Sequence, residues 1–145
     1  MIALLQRVSE ARVVVNNKMI GEIQRGLLVF IGIEKKDNLE LVARLVDKVL
    51  SYRVFPDKED KMNLSVLDIQ GGLLLVPQFT LAADTQNGCR PSFSSAAAPE
   101  LGKILFDEFV KTAKNKYQYV ETGEFGADMK VSLLNDGPVT FWLQV

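Results

Sequence analysis

Two segments carry residue types whose spacing can do chemistry. In the first, the apolar run Leu73-Leu74-Leu75-Val76 breaks into Pro77-Gln78-Phe79-Thr80-Leu81. Val76 precedes proline and is therefore held extended. The amides of Gln78, Phe79 and Thr80 are then expected to leave the ladder and point into a cleft. Converging N–H donors stabilise the oxyanion that develops in acyl transfer. Phe79 offers a flat face to a nucleobase and Gln78 an amide for polar contacts. Thr80 is the one side-chain nucleophile in the segment, but threonine needs a base to activate it. No lysine or carboxylate lies nearby in sequence, so a positioning hydroxyl is favoured. The plain alternative is a strand end followed by an ordinary loop.

The second segment is Asn135-Asp136-Gly137-Pro138-Val139-Thr140. Gly137-Pro138 interrupts a stretch that otherwise reads as a strand, and proline gives no donor to a ladder. Asn-Asp-Gly-Pro is also rich in turn formers, so a tight turn between two strands is the simplest reading. The sharper one has Gly137 and Pro138 present carbonyl oxygens to a substrate, both aimed one way if the peptide is cis. Arg7 sits on an apolar first strand. It is either a salt-bridge partner or a planar fork that clamps backbone carbonyls such as these.

Composition narrows the chemistry. The chain has 145 residues and no histidine, which excludes the usual Ser-His and Cys-His nucleophile systems. One cysteine, Cys89, cannot form an intrachain disulfide and fits a reducing compartment. It also leaves ordinary zinc and copper sites without ligands. No phosphate-cradling glycine loop or dinucleotide fingerprint occurs, so no cofactor is expected. Seventeen basic and eighteen acidic residues give a net charge of −1. That opposes broad binding of long nucleic acid but allows a local basic patch, for instance at Arg90. No run approaches the ~20 apolar residues of a membrane helix, and Met1-Ile2-Ala3-Leu4-Leu5 lacks the basic lead of a secretory signal.

The length fits one domain spanning 1–145. Residues 2–15 read as a strand, Asn16-Asn17 as a turn, and Met19–Ile23 as its partner. Leu27–Ile31 and Leu73–Val76 read as fully buried strands. Asp37 or Asn38 caps a helix whose Val42, Leu45, Val46, Val49 and Leu50 form one face. Residues 56–63 look turn-rich, with a strand near Ser65–Ile69. Residues 82–97 form a long loop of the kind that is usually functional. Pro99 opens a second helix with Leu101, Ile104, Leu105 and Phe109 buried. Strands near 118–122 and 128–134 follow. The expected fold is α+β: antiparallel or mixed sheets forming a barrel-like core packed by two helices.

With these segments in place, the chain resembles the bacterial D-aminoacyl-tRNA deacylase family. The family's paired motifs are Ser-Gln-Phe-Thr-Leu and Asn-X-Gly-Pro-X-Thr. The likeness extends through Met1–Val8, Gly26-Leu27-Leu28-Val29, Lys61-Met62-Asn63-Leu64, Arg90-Pro91-Ser92-Phe93-Ser94 and Phe141–Val145. The resemblance implies a cytoplasmic homodimer with its sites at the subunit interface. It implies hydrolysis of the ester joining a D-amino acid, or glycine, to the 3′-terminal adenosine of tRNA. In the family a cis Gly-Pro unit from one subunit excludes L-amino acids from the other's pocket. Backbone groups and the ribose 2′-hydroxyl carry the chemistry, although Thr80 would match a residue once cast as nucleophile. The sequence departs at Pro77, where most bacterial members have serine, so a hydroxyl and an N–H are both lost. A related animal branch with proline here acts on L-alanine mischarged onto tRNA. The intact Asn135–Thr140 segment favours the D-specific deacylase; the alternatives are an L-alanine-editing deacylase, an esterase on free D-amino-acid esters, and a non-catalytic tRNA- or DNA-binding module of the same fold.

Overall fold

The computed structural model describes residues 1–145. One mixed sheet organises the chain. Strand β1 (Ile2–Val15) lies at its centre, with β2 (Lys18–Ile23) and β3 (Gly26–Gly32) sharing one edge. β3 pairs with residues 2–8 of β1 and β2 with residues 11–15, both antiparallel. The other edge of β1 pairs along nearly its full length with β8 (Lys130–Gln144). β6 (Gly72–Pro77) runs parallel to β3, and β7 (Val120–Thr122) parallel to β6. Parallel neighbours need crossovers. Helix α1 (Leu39–Ser51) lies between β3 and β6, and α2 (Pro99–Lys116) between β6 and β7. β4 (Phe55–Pro56) and β5 (Met62–Leu64) form a separate small ribbon. The architecture is α+β, with the mixed sheet curling nearly into a barrel under two helices. β2 folds over toward β7: a Cβ on Gly21 would lie 2.8 Å from the Thr122 carbonyl, so only glycine permits that approach.

Side-chain alternation explains the cores. Leu27, Val29 and Ile31 of β3, with Leu73 and Leu75 of β6, face the helices. Leu28, Leu74 and Val76 face the inside of the curl with Val8, Val13 and Ile23. Both strands are buried on both faces, which is why they read as unbroken apolar runs. Each such side chain contributes roughly 1.5–3 kcal/mol of burial. The α1 face is the expected one: Val42, Leu45, Val46, Val49 and Leu50 are all buried. Asn38 caps it, its Oδ1 accepting from the Leu41 amide at 3.1 Å. Asp37 instead accepts from the buried Met1 ammonium at 2.7 Å, and Glu34 accepts from the same group at 2.9 Å.

Several expectations need correction. Ser65–Ile69 is a turn, because the Asp68 carboxylate accepts from both the amide and the hydroxyl of Ser65 at 2.7 Å. Such local bonds compete with a ladder. The stretch read as turn-rich holds the β4–β5 ribbon, tied by Asp57 through the amides of Glu59 and Lys61. On α2, Ile104 is exposed, and Phe106 and Ala113 complete the buried stripe. The last strand continues through Gly137-Pro138 to Gln144 with no reversal of direction.

Candidate active site

The Pro77 segment is placed by the parallel β3–β6 ladder. β6 continues through Pro77, which pairs with Ile31. The Gln78 amide also stays in the sheet, donating to the Ile31 carbonyl at 2.8 Å. It is therefore not a free donor, contrary to the sequence expectation. Backbone donors alternate edges along a strand, so the missing Pro77 donor falls on the β7 side. There β7 has already ended, its Thr122 opposite Leu75, and proline costs no ladder bond. A 3₁₀ turn, Phe79–Ala82, follows at once. The opening amides of a helical turn have no partner within it, which leaves Phe79 and Thr80 as the available donors. Gln78 donates its Nε2 to Thr80 Oγ1 at 2.5 Å, fixing the hydroxyl's position. Thr80 and Phe79 are exposed, and Gln78 is the hydroxyl's hydrogen-bond partner.

Beside this segment lies an open, mostly apolar pocket of about 470 Å³. Val76–Phe79 form one wall, Phe125–Met129 a second, and Ala97 with Pro99 a third. Phe125 and Met129 were not singled out in the sequence. The available signal was Gly123-Glu124-Phe125-Gly126, a turn between strands whose glycines bracket an aromatic residue. Met129 packs over Gly123, where a Cβ would meet its sulfur at 2.7 Å. Phe79 and Phe93 lie with ring centroids 5.1 Å apart, which ties the 82–97 loop to the same rim. No three metal-ligating side chains converge anywhere in the chain.

The Gly137-Pro138 segment is a wide bulge in β8. Gln6 pairs with Thr140 and Val8 with Asn135, so residues 136–139 all oppose Arg7. Asn135 closes the bulge: its Oδ1 accepts from the Val139 amide at 2.7 Å, and its Nδ2 donates to the Val139 carbonyl at 3.2 Å. Thr140 Oγ1 accepts from Asn135 and from Gln6, both at 3.2 Å. Arg7 Nε donates to the Asp136 carbonyl and Nη1 to the Val54 carbonyl. Val139 is buried and anchors the bulge in the helix-facing core. Gly137 and Pro138 themselves are exposed and joined by a cis peptide. The free edge of β8 carries half-exposed Trp142 and Leu134.

Structure brings Arg7, Asn135, Val139 and Thr140 together around Gly137-Pro138, and Pro77, Gln78 and Phe79 together around the pocket, with Thr80 hydrogen-bonded to Gln78 beside it. It does not bring the two groups together. They lie three strands apart across β8–β1–β3–β6 and four residues apart in register. At ~4.8 Å per strand and ~3.3 Å per residue, that is a path on the order of 15–20 Å measured along the curled sheet.

A family profile described as D-Tyr-tRNA(Tyr) deacylase matches residues 4–144. The chain is 61% identical over 145 residues to a D-aminoacyl-tRNA deacylase of Herminiimonas arsenicoxydans, covering 100% of this chain and 97% of that one. It is 59% identical over 145 residues to a D-aminoacyl-tRNA deacylase of Haemophilus influenzae (strain PittEE), with both chains fully covered. Among solved structures, the c-Myc DNA Unwinding Element Binding Protein superposes with a TM-score of 0.96 at 36% identity, covering 100% of this chain and 99% of that one. A probable eukaryotic D-amino acid tRNA deacylase shares the fold, with a TM-score of 0.87 at 19% identity over 99% of this chain and 98% of that one.

Proposed function

The chain belongs to the D-Tyr-tRNA(Tyr) deacylase family, and from that premise we propose that it hydrolyses D-aminoacyl-tRNA and glycyl-tRNA at a site shared between two copies of the chain. Water adds to the ester carbonyl, the bond to the ribose oxygen breaks, and that oxygen takes up a proton. The products are the free amino acid and tRNA with its 3′-terminal adenosine restored. The Phe79 and Thr80 amides face the developing oxyanion, where such donors act most strongly. With no histidine in the chain, the vicinal 2′-hydroxyl of the substrate handles the proton. Thr80, held by Gln78, positions the substrate. The reaction belongs in the cytoplasm, where aminoacyl-tRNA is made.

The observation that carries the two-chain site is the separation of the motifs. Each presents an exposed, tightly braced surface, yet in one chain they sit three strands apart, a path on the order of 15–20 Å along the sheet. A twofold dimer brings the same two patches together twice. Exposed Trp142 and Leu134 on the unpaired β8 edge supply apolar surface for it. In that arrangement Gly137 and Pro138 of one subunit enter the pocket of the other and fill the space an L side chain needs. A D side chain points away and glycine has none, so selection works by exclusion.

Deacylation of matched D-tyrosyl-, L-tyrosyl-, D-alanyl-, L-alanyl- and glycyl-tRNA tests this reading. The D-aminoacyl and glycyl substrates should turn over while both L substrates persist. Pro77 on the pocket wall favours one rival, since it replaces a hydroxyl and a donor with a ring. Clearance of L-alanyl-tRNA as fast as D-alanyl-tRNA would move the chain to L-alanine editing. No turnover of any of the five would leave a binding module.

A further inference from the structure

The loop over residues 82–97 has a defined shape that the deacylation chemistry does not use. Asp84 and Ser92 exchange two backbone hydrogen bonds, at 2.8 and 3.0 Å, and pinch off a tip over 85–91 that is exposed throughout. Just past the pinch, Phe93 packs against Phe79. The rings remain 42% and 58% exposed, so they form one open aromatic surface at the mouth of the pocket. The loop then runs along the β3–α1 turn, where the Lys35 amide donates to the Ser95 carbonyl at 3.1 Å. Exposed Arg90 lies three residues before Phe93 on the loop, and exposed Lys35 and Lys36 lie on the turn hydrogen-bonded to Ser95, two residues after it. None of the three forms an ion pair. Nearby Glu34 and Asp37 are taken by the Met1 ammonium. Counting the Met1 ammonium with Arg90, Lys35 and Lys36, four cations stand among four anions, Glu34, Asp37, Asp84 and the Val145 terminus, so this rim is neutral overall while its three lysine and arginine cations stay unpaired.

We propose that this rim is a single-stranded RNA subsite, resting on the deacylase reading, that holds the unpaired nucleotides preceding the reacting adenosine. Aromatic faces stack bases without regard to sequence, and cations beside them follow the phosphates. Double-stranded RNA would offer no free base to Phe93, so the occupant is the unpaired 3′ end.

Binding separates this claim from catalysis. The probes are uncharged tRNA and the same tRNA trimmed of its unpaired 3′ nucleotides, titrated into the full-length protein at several salt concentrations. Intact tRNA should bind roughly tenfold or more tighter than trimmed tRNA. Arg90→Ala and the Lys35→Ala/Lys36→Ala pair should each erase much of that difference and flatten the salt dependence. The expected loss is about 0.7 in the log–log slope per cation removed. All three sites are exposed, so circular dichroism should find the fold unchanged. Equal binding of intact and trimmed tRNA, or unaltered salt slopes in the variants, would overturn the subsite. Neither outcome depends on turnover, so a failure of the deacylase reading would show separately, in the hydrolysis assay.

Discussion

Arg7 Nε donates to the Asp136 carbonyl at 2.8 Å while its Nη1 donates to the Val54 carbonyl at 2.7 Å. One planar fork thus joins the β8 bulge to the segment that follows α1. The Arg7 side chain is only 12% exposed, so these bonds replace water that cannot return without opening the structure. Hydrogen bonds from a charged donor contribute about 1.5–3 kcal/mol each.

Arg7→Ala is expected to lower stability by roughly 2–4 kcal/mol and to reduce deacylation further than that loss explains, because the bulge is released. Arg7→Lys should recover part of the stability, since an ammonium cannot span two carbonyls as the fork does. Urea unfolding monitored by Trp142 fluorescence, alongside kcat/KM, checks both. An alanine variant with unchanged midpoint and activity would remove Arg7 from the site's support.

Gly137 has φ of +152°, and a Cβ there would meet Val139 Cγ2 at 2.6 Å and Arg7 Nη2 at 3.3 Å. Gly137→Ala should therefore cost roughly 1–3 kcal/mol and displace the exposed segment. If the pocket is shared, mixing Gly137→Ala chains with Phe79→Pro chains, which lack one candidate oxyanion donor, should restore activity. Random twofold pairing then leaves about a quarter of the sites intact. Mixtures no more active than the separate variants would argue for a pocket built within one chain.

Thr80 Oγ1 is held by Gln78, and no carboxylate or lysine hydrogen-bonds to it. Thr80→Ala should retain substantial turnover, with KM rising more than kcat falls. Rapid quench with labelled D-aminoacyl-tRNA should find no protein-bound label. A trapped aminoacyl–Thr80 ester would establish the nucleophilic role instead.

In the proposed mechanism the ribose 2′-hydroxyl, vicinal to the ester, handles the proton. Substrate ending in 2′-deoxyadenosine should be hydrolysed about 10²–10⁴-fold more slowly while its binding changes little. Equal rates would return the proton transfer to a protein group.

Acid stability should report on Glu34. Burial pushes its carboxyl up, but hydrogen bonds from the Met1 ammonium and Gln144, with the ammonium's charge, outweigh burial and leave it below the ordinary value of 4.5. A depressed folded-state value means that the unfolded chain binds the proton first. The stabilisation is fully present above pH 4.5 and is lost as pH falls through the lower folded value. Unfolding midpoints for wild type and Glu34→Gln should differ at pH 7 and converge as the pH falls below 4.5 and through the folded-state value. A constant difference across that range would exclude the ammonium pair as its source.

Much of this molecule was legible along the chain. The α1 stripe repeats every three to four residues, and all five positions are buried. The unbroken runs in β3 and β6 announced strands covered on both faces. Failures came where a short side chain overrode the pattern. Asp68 draws Ser65 into a turn, and its carboxyl is held below its usual range by the same bonds. Asp57 likewise organises a ribbon from residues that look like a charged loop. At α2, both Ile104 and Phe106 are apolar, but Phe106 turns inward with Leu105 and Phe109 and packs near Phe125, while Ile104 is exposed.

By itself the sequence determined which residues form the two motifs, that no imidazole can serve them, and that strands packed by two helices must surround them. These follow from local periodicity, turn chemistry and composition. Tertiary structure decided what those motifs can do. Whether the Gln78 amide is free depends on the Ile31 carbonyl, 47 positions away in the chain. Whether Gly137-Pro138 turns the chain or bulges from a continuous strand depends on how β8 pairs with β1 and on Arg7 filling the space opposite. The gap between the motifs is set by three strand spacings and a register offset. Hydrogen-bond partners and register are properties of pairs of distant segments, so no window of sequence contains them.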